Sequence, residues 1–229
     1  MSFYYLSQNP LLMVCVLLPT YNEAGSIKEV IDRVRKVDPS FSIVVVDSGS
    51  TDGTAEIAKK CGAQLVTLDR RGKGIAIKKA FQEIDDDVIV LLDSDASYLP
   101  EEIPILIENL KGCDVVLGSR FRGRIEKGSM KSLNRLGNRM LTFLGNVLYG
   151  KDSTDLCTGF WAFNKKAYKG MLIDAPHFEL EANFFAQCAK KKMKLCEVPI
   201  SYVARQGQAK LSPLHGFNIA WYLVSRRFI

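Results

Sequence analysis

The sequence predicts an α/β fold built on a mostly parallel sheet that is flanked by helices. The first observation is an alternation along the chain, in which short runs rich in β-branched residues are followed by stretches with helical spacing. The second is the lack of polar alternation within those runs, which is typical of strands covered on both faces. Together these features favour repeated β-α-β units in one layered domain.

Five strands are predicted in the first half of the chain, at 11–18, 42–47, 63–68, 87–93 and 114–119. The helices between them are predicted at 23–37, 53–61, 74–84 and 101–110. The first helix shows the pattern well, since Ile27, Val30, Ile31 and Val34 recur at i, i+3, i+4 and i+7. After residue 120 we expect a long helix at about 128–149, a strand at 159–164, a helix at 179–192 and a strand at 194–199.

The composition predicts one globular unit. The chain has 229 residues, of which 47% are apolar and 24% charged, enough for one sizeable core. Its longest uncharged apolar stretch near the N-terminus, 11–18, is far shorter than the roughly 20 residues that span a bilayer. The six cysteines form no C-x-x-C motif and no metal-binding spacing, so we expect reduced thiols, no zinc and a cytosolic protein.

Polar clusters follow the predicted strands, and ligands of open α/β sheets bind beyond the carboxyl ends of the strands. The chemistry of turns and helix starts accounts for Ser50, Thr51 and Gly53. It does not account for Asp93 and Asp95, because two carboxylates on a short turn repel unless a cation lies between them. The pair therefore predicts a site for Mg²⁺ or Mn²⁺ shared with a diphosphate, with a solvated loop as the alternative.

Several motifs resemble those of the family 2 glycosyltransferases, whose fold is the glycosyltransferase-A (GT-A) fold with a Rossmann-like, mostly parallel sheet. They are PTYNE (19–23), VVDSGSTDGT (45–54), RGKGIAIKKA (71–80), LLDSDAS (91–97) and GSRF (118–121). Two later segments resemble the subgroup of polyprenyl-phosphate and dolichyl-phosphate sugar transferases: DLCTGFWAFNKKA (155–167) and EVPISYVARQGQAKL (197–211). The resemblance implies one domain, 1–229, with a nucleotide-sugar half at about 10–97, an acceptor half at about 98–211 and an amphipathic tail at 212–229.

The resemblance also implies a set of donor-site residues. The nucleotide would be held by Pro19, Tyr21, Asn22, Glu23 and Asp47, and the diphosphate would bind Asp93 and Asp95 through Mg²⁺ or Mn²⁺. Two departures from the family pattern are visible. The common Asp-Asp pair after the second strand is Asp47-Ser48 here, which leaves one carboxylate for the nucleotide. Ser97 stands where many relatives carry a ligating Gln, which leaves the third ligand open between the protein and water.

A lipid phosphate is the expected acceptor, because it is already anionic and needs only cations to place it against the anomeric carbon. By resemblance, the phosphate-gripping positions are Arg120, Arg135, Arg205 and Lys210, while Lys73 is an optional nucleotide contact. A sugar or protein hydroxyl acceptor would instead need a general base, for which Glu181 is the candidate. With a phosphate acceptor, we expect Glu181 to orient the site or to pair with a loop cation.

These readings predict an inverting, metal-dependent transfer of a hexose from GDP-mannose or a UDP-hexose to dolichyl or polyprenyl phosphate. A transferase with a hydroxyl acceptor and a non-catalytic nucleotide-binding module are the alternatives. Nucleic acid is not an expected partner, because the basic residues are not interleaved with stacking aromatics.

The tail at 213–229 mixes aromatic and aliphatic residues with Arg226 and Arg227, a composition suited to a membrane interface. We therefore expect peripheral association with the cytoplasmic face of a membrane. A tail that docks on its own core, or one that begins a membrane segment, would have the same composition.

Overall fold

The computed structural model describes residues 12–68, 72–175, 177–207 and 213–228. Its centre is a seven-stranded sheet with the strand order β3-β2-β1-β4-β6-β5-β7. The strands are β1 Val14–Thr20, β2 Ser42–Asp47, β3 Gln64–Thr67, β4 Val88–Leu92, β5 Val115–Ile125, β6 Phe160–Asn164 and β7 Leu195–Tyr202. β6 runs antiparallel to both of its neighbours, and the other neighbouring pairs are parallel. The predicted mostly parallel sheet is confirmed.

Eight α-helices pack around this sheet in the described residues. They are α1 Ile27–Val37, α2 Thr54–Lys60, α3 Lys73–Glu83, α4 Ile103–Asn109, α5 Ser132–Tyr149, α6 Lys165–Gly170, α7 Leu180–Lys190 and α8 Pro213–Phe228. The six-residue α6 was not predicted, because fewer than two turns are too short for a periodic pattern. Its start carried a signal, since the Asn164 side chain caps the helix by accepting from the Ala167 amide at 2.8 Å.

The fifth strand is longer than predicted, and the helix after it begins later. β5 continues to Ile125 because, after a bulge, Arg124 and Ile125 pair with Ser201 and Tyr202 of the edge strand β7. This extension is mostly solvent-exposed, so it carries none of the apolar pattern that marks the buried strands. A turn occupies part of 126–131, so α5 starts at Ser132 and not at the predicted position of about 128.

Both faces of the sheet are covered, as the sequence predicted. On one face, α1, α2 and α4 pack against alternate residues of the central strands, such as Val16 and Val90. On the other face, α3, α6 and α7 pack against the intervening residues, such as Leu17 and Leu91, and surround an aromatic cluster that includes Trp161. A third apolar cluster joins α5, α7 and α8. The covered sheet therefore supports the loops at its carboxyl edge.

One pair of cysteines corrects the expectation that all six are reduced. Cys113, just before β5, and Cys196, in β7, form a disulfide with a Cα–Cα distance of 6.1 Å. They are 83 residues apart in sequence, so their proximity follows only from the pairing of β5 with β7. Cys15, Cys61, Cys157 and Cys188 are unbridged, and burial raises the pKa of the Cys15 thiol to about 12.

Candidate active site

The loops that follow β1 and β2 are bonded to each other at the carboxyl edge of the sheet. The Asn22 amide donates to Ser50 Oγ at 2.8 Å, and Asn22 Oδ1 accepts from the Thr51 amide at 2.9 Å. The Glu23 amide donates to Thr54 Oγ1 at 2.9 Å. Asn22 adopts a left-handed backbone with φ +52°, a conformation that Asn tolerates better than most residues. The segment 19–23 predicted to hold a nucleotide is therefore fixed against the second loop.

Asp47 is the last residue of β2, and Pro19 is the next-to-last residue of β1. The buried Asp47 carboxylate accepts from the Ser50 amide at 3.0 Å and from the Ser50 hydroxyl. The Pro19 carbonyl accepts from Ser94 Oγ at 2.9 Å, and the Ser94 carbonyl accepts from Ser26 Oγ at 2.7 Å. Ser94, the residue between the two aspartates, thus ties the end of β4 to the end of β1. The predicted nucleotide residues and the predicted metal residues occupy one edge.

The two aspartates after β4 are both held by cationic side chains. Lys73 Nζ, at the start of α3, donates to Asp93 Oδ1 at 2.7 Å and also to Glu181 Oε1 at 2.7 Å. Arg205 donates to Asp95 Oδ2, so Arg205 and Asp95 form an ion pair. Lys73 thus links Asp93 to Glu181 in the structure, whereas its sequence context predicted only an optional contact with the nucleotide.

Ser97 orients the second aspartate. Its amide donates to Asp95 Oδ1 at 2.9 Å, and its hydroxyl donates to the same oxygen. Ala96 makes this possible by turning the chain with φ +61°. Ser97 is buried and bonded to Asp95, so the geometry favours a role in positioning the carboxylate over direct metal ligation.

Gly159, which immediately precedes β6, leaves the space that the Asp93 carboxylate fills. A Cβ added at this position would lie 2.0 Å from Asp93 Oδ2 and 2.5 Å from its Cγ. The Gly159 amide donates to the buried Tyr98 hydroxyl at 2.7 Å, and this bond fixes the backbone at Gly159. The requirement for glycine has no local signal in the sequence, because it arises from a residue 66 positions earlier in the chain.

Burial and charge act against each other around Lys73. Burial alone would lower the pKa of Lys73, but the carboxylates of Asp93 and Glu181 outweigh it and raise that pKa. Burial raises the pKa of Glu181, and the Lys73 ammonium opposes the rise. Lys73 is therefore a permanent cation between two acidic groups, and one oxygen of Glu181 is bonded to it.

Arg120 has a different environment from the one predicted for an acceptor residue. Its Nε donates to Asp155 Oδ2 at 2.7 Å and its Nη2 to Asp155 Oδ1 at 2.6 Å, while its amide also donates to Oδ2. Both side chains are buried, and the guanidinium lies 5.3 Å from the centre of the Tyr202 ring. This geometry makes Arg120 the buried partner of Asp155, and its role in gripping a phosphate stays a prediction.

Of the other predicted acceptor residues, Arg205 lies beside the aspartates and Arg135 does not. Arg205 lies in the loop after β7. This loop is held to the turn at 93–97 by hydrogen bonds from the Val203 amide to the Ser97 carbonyl and from the Gln206 amide to the Asp95 carbonyl. Arg135 is exposed on α5, and no side-chain contact with any other described residue links it to the aspartates. Lys210 lies outside the described residues.

The donor set fits a hard divalent cation. Carboxylate oxygens suit Mg²⁺ and Mn²⁺, and Mg²⁺ sites that bind substrate phosphates use one or two carboxylates and keep several waters. Within the part of the chain that the structure describes, no group of three or more His, Cys, Asp or Glu side chains is arranged to hold a metal. Asp93 and Asp95 would therefore share the ion with the phosphates of a ligand and with water.

The outer sides of α5 and α8 form an exposed apolar face. Its side chains are between 57% and 80% exposed: Leu133, Leu136, Met140, Phe143, Val147, Phe217, Trp221 and Phe228. The inner side of α8 packs on the core through Ile219, Tyr222 and Leu223. Among the helices described, none combines the length and the hydropathy needed to cross a bilayer. The tail thus docks on its own core and still presents an apolar surface.

The chain is similar to known proteins in sequence and in fold. The model of the family described as "Glycosyl transferase family 2" matches residues 15–172. Glycosyltransferase AglJ of Haloferax volcanii is 34% identical over 219 residues, which are 93% of this chain and 71% of that protein. A dolichyl-phosphate hexose transferase of the same organism is 34% identical over 207 residues, 89% of this chain and 88% of that protein.

A solved structure supports the fold. The glucosyl-3-phosphoglycerate synthase of Mycobacterium tuberculosis, crystallised with Mn²⁺, UDP-glucose and phosphoglyceric acid, superposes with a TM-score of 0.79 at 22% identity, covering 100% of this chain and 84% of the other. The GT-A fold expected from the motifs is confirmed. The matched family model and the two relatives lead to the same conclusion, that this chain belongs to glycosyl transferase family 2.

Proposed function

We propose that the chain is a metal-dependent, inverting transferase that moves a hexose from GDP-mannose or a UDP-hexose to a polyprenyl or dolichyl phosphate. One observation carries this proposal: Asp93 contacts Lys73 and Asp95 contacts Arg205. Both contacts lie at the edge of the sheet from which the loops after β1 and β2 also start. Carboxylates for a cation and cations for phosphates lie together there. The name of the dolichyl-phosphate hexose transferase among its relatives supports the lipid-phosphate acceptor.

In this proposal, the first two loops hold the donor nucleotide. The residues assigned to it are Pro19, Tyr21, Asn22, Glu23 and Asp47, and Asp47 faces the base or the ribose. Asp93 and Asp95 would hold Mg²⁺ or Mn²⁺ against the diphosphate. A divalent ion bound there would offset the negative charge that develops on the departing diphosphate.

The reaction needs no proton transfer to the enzyme. An oxygen of the acceptor phosphate attacks the anomeric carbon as the bond from that carbon to the diphosphate oxygen breaks, and the electron pair leaves with the nucleoside diphosphate. One displacement inverts the configuration at that carbon. Arg205 lies beside Asp95, where a donor diphosphate and an attacking phosphate would meet, so its guanidinium can stabilise either set of oxygens.

A hydroxyl acceptor is the second candidate. It requires a general base, and Glu181 is the carboxylate that the geometry brings to the site. The hydrogen bond from Lys73 to Glu181 Oε1 disfavours this reading, because a cation bound to the carboxylate weakens it as a base. A non-catalytic nucleotide-binding module is a weaker proposal still, since it would not need the arrangement of Lys73, Asp93 and Asp95.

We also propose that the exposed apolar face of α5 and α8 lies on the cytoplasmic surface of an anionic membrane. A lipid acceptor presents its phosphate at such a surface, and an amphipathic helix binds there through buried apolar area and cationic side chains. The basic residues near the face are Lys131, Arg135, Arg139, Arg226 and Arg227. In this arrangement Arg135 acts at the membrane, near the lipid headgroups, and not at the aspartates.

A transfer assay tests the function. Radiolabelled UDP-glucose, UDP-N-acetylglucosamine and GDP-mannose are each incubated with undecaprenyl phosphate and Mn²⁺, and the lipid phase is extracted. We expect lipid-linked label from one donor, no label with undecaprenol in place of the phosphate, and none with Asp95→Asn. Label on undecaprenol at an equal rate would establish a hydroxyl acceptor and overturn the proposal.

Vesicle sedimentation tests the membrane surface. The protein should bind phosphatidylglycerol vesicles and bind phosphatidylcholine vesicles more weakly, and the Phe143→Glu and Trp221→Glu variants should lose binding. Ile105→Glu is the matched control, because Ile105 is an exposed apolar residue of α4, a helix on the opposite face of the sheet from α7, on which α8 packs. Equal loss in all three variants would contradict a role for this face.

A further inference from the structure

We propose that a divalent cation displaces Arg205 from Asp95 and Lys73 from Asp93, and that the displaced side chains then bind the donor diphosphate. The inference rests on the proposed function and adds a property to it: metal and nucleotide bind as a coupled pair. Arg205 and Lys73 thus hold the two aspartates until the donor arrives, and their contacts weaken the binding of a metal that arrives alone.

The contacts of Asp95 carry the first step. Both of its oxygens are taken, since Oδ1 accepts from the amide and the hydroxyl of Ser97 and Oδ2 accepts from Arg205. A cation that binds Oδ2 meets the guanidinium, which repels it by charge and occupies one side of that oxygen. Ser97 stays with the other oxygen and keeps the carboxylate oriented during the exchange.

Arg205 itself supplies a second, independent observation. Its Nε is buried and has no hydrogen-bond partner among the described residues. A buried donor without a partner is costly, and an anionic oxygen at this position would satisfy it. A phosphate oxyanion provides such oxygens in a number that matches the guanidinium fork. The pairing with Asp95 thus leaves Arg205 with donor capacity that a phosphate can use.

The loop that carries Arg205 is built to stay near the site after the exchange. Gln206 donates to Glu29 Oε2 at 2.7 Å, and its amide holds the Asp95 carbonyl. Gly207 follows with φ +82°, and a Cβ there would lie 3.5 Å from Glu23 Oε2. The guanidinium can therefore move by changing its side-chain rotamer while the backbone keeps it over the first loop.

Lys73 is retained in the same way by a second carboxylate. If Asp93 releases Lys73 to bind a metal, the bond from Lys73 to Glu181 can keep the ammonium within the site. The net charge then balances in two steps. The divalent ion replaces two single positive charges on the aspartates, and the diphosphate neutralises the charges that were released.

Binding measurements separate this exchange from a structural role of Arg205. The affinity for Mn²⁺ alone is measured by electron paramagnetic resonance of the unbound ion, and the affinity for UDP and for GDP with Mn²⁺ by calorimetry. In Arg205→Ala, we expect Mn²⁺ alone to bind about tenfold tighter, because Asp95 is free, and the nucleotide to bind about tenfold more weakly, because a phosphate partner is lost. Arg205→Lys should restore both affinities toward those of the parent protein.

Lys165→Ala is the charge-matched control, since it removes one positive charge from an ion pair with Asp85 just before β4, at the opposite end of that strand. It should change neither affinity. The proposal is overturned if Arg205→Ala weakens or leaves unchanged the binding of Mn²⁺ alone, or if Lys165→Ala tightens it equally. Failure of the parent protein to bind Mn²⁺ even with UDP or GDP would overturn the proposed function as well, which distinguishes the two failures.

Discussion

Replacement of Gly159 by alanine should disable the site while the fold survives. The added Cβ would lie 2.0 Å from Asp93 Oδ2, and ordinary van der Waals contact begins at 3.4 Å, so the carboxylate must shift by about 1.4 Å. The Gly159 backbone cannot give way easily, because its amide is bonded to the buried Tyr98 hydroxyl. The carboxylate is therefore the part that moves, and its 2.7 Å bond to Lys73 would break or rearrange.

The expected effects differ in size between catalysis and stability. A misplacement of about 1 Å at a reacting site costs on the order of 100-fold in rate, so turnover should fall by roughly that factor. Crowding in a packed region costs about 1–3 kcal/mol, which corresponds to about 2–4 °C in melting temperature for each kcal/mol in a chain of this length. Turnover should be measured well below the melting temperature, together with nucleotide affinity in the presence of Mn²⁺.

Gly112→Ala is the matched control, since a Cβ at Gly112 would meet no atom within 4 Å and its backbone is not left-handed. It should retain the activity of the parent protein. If Gly159→Ala turns over within about threefold of the parent protein and binds Mn²⁺ and nucleotide normally, then the position of the Asp93 carboxylate does not govern the reaction, and the assigned metal site is refuted.

Three further predictions follow from the same geometry. Arg120→Met should lower the free energy of unfolding by about 3–5 kcal/mol, because it leaves the buried Asp155 carboxylate uncompensated. Urea denaturation measures this loss, and part of it should be recovered when Asp155 is also replaced by leucine. Glu181→Gln should keep turnover with a phosphate acceptor within about tenfold of the parent protein in a steady-state assay with both substrates saturating. If Glu181 were a general base, its loss would lower turnover by on the order of 100- to 10,000-fold. Removal of divalent ions with EDTA should abolish transfer and Mn²⁺ should restore it, and full activity in EDTA would contradict the metal assignment.

The layers of the fold could be predicted because their signals are local. Each central strand is a continuous apolar run, and α1 shows its buried side in four residues spaced at helical intervals. Segments without such a signal were missed or misjudged. The exposed end of β5 is a strand only because β7 pairs with it, and α6 is too short to show a period.

The aspartates could be predicted from sequence, but their partners could not. Asp93 and Asp95 stand out because two carboxylates on a short turn at the end of a buried strand repel each other unless a cation lies between them. Lys73 meets Glu181 across 108 positions and Arg205 meets Asp95 across 110, so only the folded chain brings them together. The same limit hid the Cys113–Cys196 disulfide and the space left by Gly159.

The cationic side chains near this edge differ in how exposed their ion pairs are to solvent. Three carboxylates near the site each carry a cationic partner, in the pairs Arg120 with Asp155, Lys73 with Asp93 and Arg205 with Asp95. In the first pair the side chains are 7% and 0% exposed, so neither water nor a ligand can replace the lost interaction and the pair must stay intact. Lys73 is 19% exposed and Arg205 30%, and we propose that each leaves its carboxylate for an anion that enters the site. A cationic residue type alone therefore does not identify a phosphate ligand, whereas the exposure of its present ion pair indicates which cations a phosphate can recruit.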